Sequence, residues 1–311
     1  MTSESVAVGL RPVPRIDHIM VLLDAPAYQD LAASGFLGER FARLKRKEAN
    51  SSVAGQYSTI GVAGDNTLIE LFGADMPGSA PLTGGLVFSF EEPGSSSAAQ
   101  ALLAASGQVK FFHDLVKREV AGASEPQPWY HLLSVDLGVA SPLLLLLNEV
   151  TPEYFGAIGA RPAPDGTLRR KDYLDAALGA PSDGSRLMRD IVGVTVIVHA
   201  DRAEHITNAL AAFGFEVTRQ AREVVLSGPE LTVRLAIDDS VRERIADIEV
   251  RIEPGQLATL AATEYRFGET SRLVIENDDT ARWIFGPAEA DTAQRRPDRA
   301  RGSAPGQDPV G

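Results

Sequence analysis

A histidine and a glutamate occupy strand-like positions in two apolar segments near the start of the chain. His18 lies in "RIDHIMVLL", residues 15–23, and Glu70 lies in "TLIELF", residues 67–72. Burying an ionised carboxylate among aliphatic side chains costs free energy unless the charge is paired. Each group therefore needs a partner, and the two alternatives are a hydrogen bond to another side chain and a divalent cation.

The composition restricts the chemistry that the rest of the chain can offer. The 311 residues include no cysteine, which excludes disulfides, thiolate nucleophiles and sulfur-bound metals. Because 42 acidic residues outnumber 30 basic ones, giving a net charge of −12, nucleic-acid binding is not expected. The N-terminus lacks a signal-peptide pattern, and the most apolar run, "PLLLLL", is too short to span a bilayer. We therefore predict a cytoplasmic protein that does not bind membranes.

One arrangement of secondary structure recurs along the chain. An apolar strand, a helix and further strands follow one another four times, and "LAASGF" (31–36) is echoed by "LAAFGF" (210–215). The predicted segments are a disordered start (1–13), a domain of two units (14–150), a linker with a short helix (151–189), a second domain of two units (190–286) and a disordered tail (287–311). The second domain lacks a histidine and a glutamate at the matching strand positions, so it is expected to carry no comparable site.

The repeated strand–helix–three-strand unit resembles the vicinal oxygen chelate superfamily, which includes glyoxalase I, extradiol dioxygenases and bleomycin-binding proteins. "RIDHIMVLL" is similar to the first strand of that fold, and "GDNTLIELFG" is similar to its last strand with the metal-binding carboxylate. The resemblance implies an α+β fold in which repeated βαβββ units pair into two domains with cupped mixed sheets. It also implies that His18 and Glu70 meet on a concave face and bind a divalent metal ion, with Fe, Mn, Zn, Ni and Mg all open.

The resemblance also implies that the second βαβββ unit supplies further metal ligands. Its first strand, "GGLVFSFEE", has no histidine or glutamine where the superfamily has a ligand, which is a departure from the pattern. The candidates that remain are His131 in "WYHLLSV" and Glu149 in "LLLLLNEV", with water as an alternative. The register of the last strand is open by one residue, so Asn148 is an alternative to Glu149 as the inward-facing side chain.

An apolar cup is expected around this site, with a few polar contacts. The predicted substrate-binding residues are Met20, Gln56, Tyr57, Leu68, Phe72, Phe88 and Phe90. Such a lining suits a small or medium organic molecule. No cluster of Arg and Lys is expected to face the cup, so a strongly anionic substrate is disfavoured.

Three functions are compatible with this pattern. The first is a metal-dependent lyase, isomerase or dioxygenase that acts on an oxygen-bearing metabolite. The second is a metal-free protein that sequesters a ligand, as bleomycin-resistance proteins do. The third is a metal-free enzyme in which Glu70, its pKa raised by burial, acts as the catalytic general base. In each case the expected partner is a small molecule, with a homodimer as a possible assembly.

Overall fold

A computed structural model describes residues 11–51, 55–73, 81–119, 125–179 and 186–286 of the chain. Of the two ends predicted to be disordered, residues 1–10 and 287–311 lie outside these ranges. Within the described residues, no helix has both the length and the apolar character that a membrane crossing requires.

The N-terminal half contains two βαβββ units. The first consists of β1 (Arg15–Leu23), α1 (Ala25–Ala33), β2 (Arg43–Ser51), β3 (Gly55–Ala63) and β4 (Leu68–Gly73), with a π-helical turn at Leu37–Phe41. The second consists of β5 (Gly84–Phe90), α2 (Ser95–Ser106), β6 (Phe111–Arg118), β7 (Gln127–Val135) and β8 (Leu143–Val150). The first helix begins where the sequence predicts, because the Asp24 side chain accepts a hydrogen bond from the Ala27 amide at 2.8 Å.

Two short helices follow, and the C-terminal half then repeats the pattern. The helices between the halves are α3 (Pro152–Ala157) and α4 (Arg170–Leu178). The third unit consists of β9 (Met188–Val198), α5 (Ala200–Ala212), β10 (Glu216–Gln220), β11 (Glu223–Ser227) and β12 (Thr232–Ile237). The fourth consists of β13 (Arg244–Ile252), a 3-10 turn (Leu257–Thr259), β14 (Glu264–Phe267), β15 (Ser271–Ile275) and β16 (Thr280–Phe285). The sequence did not predict α3 or β10, and it predicted a longer helix in the fourth unit.

Each half forms one eight-stranded mixed sheet. The strand order is β2-β3-β4-β1-β5-β8-β7-β6 in the first sheet and β10-β11-β12-β9-β13-β16-β15-β14 in the second. The end strands β2 and β6 meet at one backbone pair, Ser51 with Arg118, so the first sheet curls into a deep cup. The predicted α+β class, with repeated βαβββ units and cupped mixed sheets, is confirmed.

The convex faces of the two sheets and their helices share one hydrophobic core. Phe88 meets Phe215 edge to face at a ring distance of 5.9 Å, and Phe90 packs against Phe213 at 6.0 Å. The prediction that Phe88 and Phe90 line the cup is therefore wrong. Side chains alternate along a strand, and β5 turns Val87 and Ser89 to the concave side instead.

The segment between the halves crosses the open side of the cup. Tyr154 on α3 and Tyr173 on α4 pack with Trp129 and Leu132 of β7, among a cluster of buried residues. The hydroxyl of Tyr173 accepts a hydrogen bond from Trp129 Nε1 at 3.1 Å, and Asp175 on α4 forms an ion pair with Arg43 at 2.7 Å. We call residues 152–178 the lid. The predicted linker helix is α4, and its packing against the cup is an addition to the prediction.

Candidate functional site

His18 and Glu70 lie on neighbouring strands of the first sheet and face each other. The parallel pairing of β1 with β4 sets Met20 opposite Glu70 and His18 opposite Leu68. The two functional side chains are thus diagonal neighbours, with His18 Nε2 3.5 Å from Glu70 Oε2. Thr59 on β3 donates a hydrogen bond to Glu70 Oε1 at 3.0 Å, which leaves the other carboxylate oxygen directed at the imidazole.

The other ring nitrogen of His18 is held by its sequence neighbour. A register shift in the β1–β5 pairing between Ile16 and His18 brings the Asp17 carboxylate to 2.5 Å from His18 Nδ1. An ionised carboxylate only accepts hydrogen bonds, so Nδ1 carries the proton and Nε2 is directed towards Glu70. A carboxylate on the far nitrogen is the arrangement that orients metal-binding histidines in proteins.

Asp17 is in turn bound by an arginine of the lid. Arg170 Nη1 lies 2.7 Å from Asp17 Oδ2, and Nη2 donates to the Asp17 carbonyl at 3.3 Å. Burial raises the pKa of the Asp17 carboxyl, but the charge of Arg170 and the hydrogen bond with His18 outweigh it, so the pKa lies below its ordinary value. The sequence analysis missed Arg170, because its nearness to His18 depends on how a distant segment folds back.

The second unit places different side chains at the positions related to His18 and Glu70. The antiparallel pairing of β1 with β5 sets His18 opposite Val87, so the approximate twofold axis that relates the two units passes through this pair. The same axis relates Met20 to Ser89, and therefore their partners on the next strands, Glu70 on β4 and Asn148 on β8. Asn148 Oδ1 is buried and has no hydrogen-bond partner among the described residues. Of the two open alternatives on β8, Asn148 is therefore the one that faces the cup.

The two other predicted ligands, His131 and Glu149, lie on the opposite face of the sheet. They are paired across β7 and β8, and the His131 ring stacks on His113 at 6.0 Å with an interplanar angle of 9°. The Glu149 carboxylate accepts hydrogen bonds from the backbone amides of Gly94 (2.8 Å) and Ser96 (2.5 Å) at the start of α2. Their assignment as ligands of the same centre as His18 is corrected accordingly.

Replacing Glu149 by Gln is expected to lower the free energy of unfolding by about 1–2 kcal/mol without affecting metal binding. The carboxylate satisfies two amides at a helix N-terminus and is only 6% exposed, so the neutral side chain loses a charge-assisted interaction. Urea unfolding measures the change. A loss of metal affinity in this variant would show that Glu149 contributes to the metal site from the opposite face of the sheet.

The predicted substrate-binding residues divide between the cup and other places. Met20, Leu68 and Phe72 are on the concave face, since they pair in register with Glu70, His18 and Thr59 respectively. Gln56 and Tyr57 belong to β3, but their side chains lie outside what the structure describes.

Aromatic side chains that the sequence analysis did not select form the far wall of the cup. The shift in the β6–β7 register leaves Trp129 unpaired with β6 and packs it at 4.7 Å against Tyr130. Burial and the charges of Glu70 and Asp17 raise the pKa of Tyr130, which therefore stays protonated as a hydrogen-bond donor. Trp129 and Tyr130 stand next to the candidate ligand His131 in "PWYHLL", and this aromatic pair is the sequence feature that indicates them.

A divalent metal ion requires several nitrogen or oxygen donor atoms around one point. Among the described residues, no group of three or more His, Asp or Glu side chains is arranged to hold a metal. His18 Nε2 and Glu70 Oε2 nevertheless converge, and Asn148 supplies an unpartnered buried oxygen at the related position. The nitrogen of His18 and the oxygen of Glu70 fit a hard or borderline cation held weakly, with the other coordination positions left to Asn148, water or substrate.

The second sheet holds no equivalent pair at these positions. Thr195 is paired with Arg234, at the positions that match Met20 and Glu70 in the first sheet. Nearby, Arg282 binds Asp247 at 2.8 Å and Glu249 at 3.2 Å, and it also binds Glu276. These three carboxylates are thus bound by one arginine, which is a structural arrangement.

The observed strand order, three βαβββ units and a fourth unit with a 3-10 turn in place of its helix define a vicinal oxygen chelate fold, as the sequence resemblance implied. The chain belongs to the Family of unknown function (DUF5829), whose model matches residues 16–285. No curated protein matches the sequence significantly.

Several solved structures are similar in overall shape. A hypothetical protein from Staphylococcus aureus is 14% identical with a TM-score of 0.49, over 89% of this chain and 100% of that one. Homoprotocatechuate 2,3-dioxygenase from Arthrobacter globiformis is 11% identical with a TM-score of 0.45, over 88% and 79%. The Mn(II)-bound glyoxalase from Novosphingobium aromaticivorans is 12% identical with a TM-score of 0.41, over 76% and 65%. Likenesses of this degree assign no activity to the chain.

Proposed function

We propose that the cup of the first sheet binds a divalent metal ion through His18 and Glu70 and acts enzymatically on a small oxygen-bearing organic molecule. The observation that carries the proposal is the orientation of His18, with Nδ1 fixed by Asp17 at 2.5 Å and Nε2 directed at Glu70. His18 Nε2 and the Glu70 carboxylate face each other at 3.5 Å, so a divalent cation between them would take one ligand atom from each side chain.

Two buried polar atoms support a bound ligand. Asn148 Oδ1 is an acceptor and Arg170 Nε is a donor, and neither has a hydrogen-bond partner among the described residues. Leaving such groups unpaired costs about 1–3 kcal/mol each, so a ligand or ordered water that pairs them would be stabilised. Because the two atoms have opposite hydrogen-bonding character, the favoured ligand offers both a donor and an acceptor.

The protein groups have separable roles in such a reaction. A divalent ion bound here would supply Lewis-acid polarisation of substrate oxygens, as in lyases, isomerases and dioxygenases of this kind. Asp17 orients His18, and Glu70 is placed to accept or return a proton at the substrate. The protonated Tyr130 hydroxyl can donate a hydrogen bond to a substrate oxygen, while Tyr154 and Tyr173 of the lid exclude water.

A second function, without a metal, is favoured by the second unit. Val87 and Asn148 stand at the positions related to His18 and Glu70, so only one of the two units offers a charged ligand pair. In a metal-free enzyme, Glu70 would act as the general base, with His18 as its hydrogen-bonded neighbour. A protein that only sequesters its ligand would use the same cup without turnover.

The proposal is tested by measuring the metal content of tag-free protein that was purified without chelator. The same protein is then reloaded with Mn²⁺ or Fe²⁺ and measured again. We expect about one equivalent of divalent metal per chain, removable by a chelator with loss of any catalytic activity. Metal-free protein that cannot be reloaded would contradict metal dependence. Turnover by that metal-free protein would then support the general-base enzyme, and stoichiometric binding without turnover would support the sequestering protein.

A further inference from the structure

Arg118 lies at the end of β6, where the two ends of the first sheet meet. Its guanidinium carbon is 4.6 Å from the centre of the Trp129 ring, and Nη1 donates a hydrogen bond to the Tyr154 hydroxyl at 3.1 Å. Stacking on an indole and bonding to a phenol fix the plane of the guanidinium. The remaining N–H groups of Arg118 have no hydrogen-bond acceptor among the described residues.

This arginine has no carboxylate partner in the described part of the chain. Arg170, the other guanidinium beside the cup, is paired with Asp17 at 2.7 Å. Among the described side chains no carboxylate lies within ion-pair distance of Arg118, although the chain has 42 acidic residues against 30 basic ones. A guanidinium that is oriented but uncompensated attracts an anion from outside the protein.

Arg118 is electrostatically connected to the site around Glu70. Arg118 contacts Trp129 and Tyr154, which pack with Tyr130 in one cluster at the wall and lid of the cup. Its charge acts on the Tyr130 hydroxyl together with the charges of Glu70 and Asp17. A ligand that extended from Glu70 past these aromatic side chains would bring its far end towards Arg118.

We propose that Arg118 binds the carboxylate, or an equivalent anionic group, of the molecule that occupies the cup. The substrate class is then a small organic anion, with its reacting oxygens near His18 and its charged end on Arg118. This inference rests on the proposed function in so far as the cup is the ligand site, but it does not require a metal. It replaces the expectation, drawn from the sequence, that a strongly anionic substrate is disfavoured.

The test uses benzoate and acetate as carboxylate probes and benzamide as the neutral analogue of benzoate. Binding is followed by the fluorescence of Trp129 in protein whose metal has been removed with a chelator and from which the chelator has then been dialysed away, so the result does not depend on the metal. The other tryptophan, Trp283, is fully buried and provides a constant background. We expect saturable binding of benzoate or acetate to the wild type, and benzamide binding at least about tenfold weaker than that of benzoate.

Three variants separate anion binding from other roles of Arg118. Arg118→Met is expected to weaken carboxylate binding at least about tenfold. Lys117→Met removes the same charge from an exposed neighbour and is expected to stay within about twofold of the wild type. Tyr154→Phe removes only the hydrogen bond from Arg118 and is expected to stay within about threefold.

Several results would overturn the proposal. Wild-type protein that binds neither carboxylate, or that binds benzamide as well as benzoate, would exclude an anion site. An unchanged carboxylate affinity in Arg118→Met would also exclude it. If Lys117→Met lost as much carboxylate affinity as Arg118→Met, the binding would depend on the overall positive charge and not on Arg118. If Tyr154→Phe lost as much affinity as Arg118→Met, the arginine would be a structural contact of the lid. None of these outcomes bears on metal content, which tests the proposed function separately.

Discussion

Replacing Glu70 by Gln is expected to abolish divalent-metal binding while the protein stays folded. Glutamine keeps the shape of the side chain and can still accept the hydrogen bond from Thr59, but it removes the carboxylate that faces His18 Nε2. Even changes in groups that merely support a ligand cost roughly 10–100-fold in metal affinity, so loss of a ligand charge should cost at least about 100-fold. Titration with Mn²⁺ followed by electron paramagnetic resonance measures the affinity.

Glu149→Gln is the matched control for this experiment. It makes the same chemical change in the same sheet, but at a carboxylate that binds the start of α2 on the opposite face. Glu149→Gln should retain Mn²⁺ affinity and lose stability, whereas Glu70→Gln should lose Mn²⁺ affinity and retain stability. If Glu70→Gln bound Mn²⁺ as tightly as the wild type, the metal-site assignment would be wrong.

Replacing Arg170 by Met is expected to lower the free energy of unfolding by about 3–5 kcal/mol, because it leaves the Asp17 carboxylate buried without its partner. The two side chains are about one-tenth exposed, so solvent cannot substitute for the lost charge. A double variant, Asp17→Asn with Arg170→Met, removes both charges and should recover part of the loss. Urea unfolding of the three proteins measures the effect, and full stability in Arg170→Met alone would contradict it.

The same pair predicts a change in the pH dependence of stability. In the wild type the pKa of Asp17 is lower in the folded than in the unfolded chain, so its stabilising contribution is present above the unfolded pKa and is lost as pH falls through the folded pKa. Without Arg170, burial is opposed only by the interactions with His18 and Ser89, so the pKa of Asp17 in the folded variant is higher than in the wild type. The difference in stability between wild type and variant should then shrink as pH falls into the acidic range. A wild-type-like pH profile would show that Arg170 does not hold the Asp17 charge.

The fold and the central pair could be predicted because local patterns identify the strands and the resemblance to the superfamily implies which strands are neighbours. Alternation in "RIDHIMVLL" and "TLIELF" gives the side chains that share a face within each strand, and the implied pairing brings His18 to Glu70. The errors on β5 and β8 have one physical cause. A one-residue change of register turns every side chain to the other face, so Phe88 and Glu149 lie outside the cup.

Other parts of the site depend on contacts that local patterns do not encode. Asp17 joins His18 only because the β1–β5 register shifts beside it. Arg170 lies 153 residues further along the chain than Asp17, on a helix whose pattern indicates a surface helix but not what it covers. Arg118 follows a bulge opposite Trp129, and the neighbouring Pro128 marks an irregular strand without showing which way the indole is turned.

The most direct test of the metal site is a nuclear magnetic resonance titration of the histidine side chains with Mn²⁺. The chain has five histidines, and paramagnetic broadening falls steeply with distance, so the imidazole nearest the bound ion is identified individually. We predict that the His18 resonances broaden first, at substoichiometric Mn²⁺, and that Glu70→Gln removes this effect. Broadening that begins at the stacked pair His113 and His131, or that reaches no histidine at one equivalent, would contradict the account.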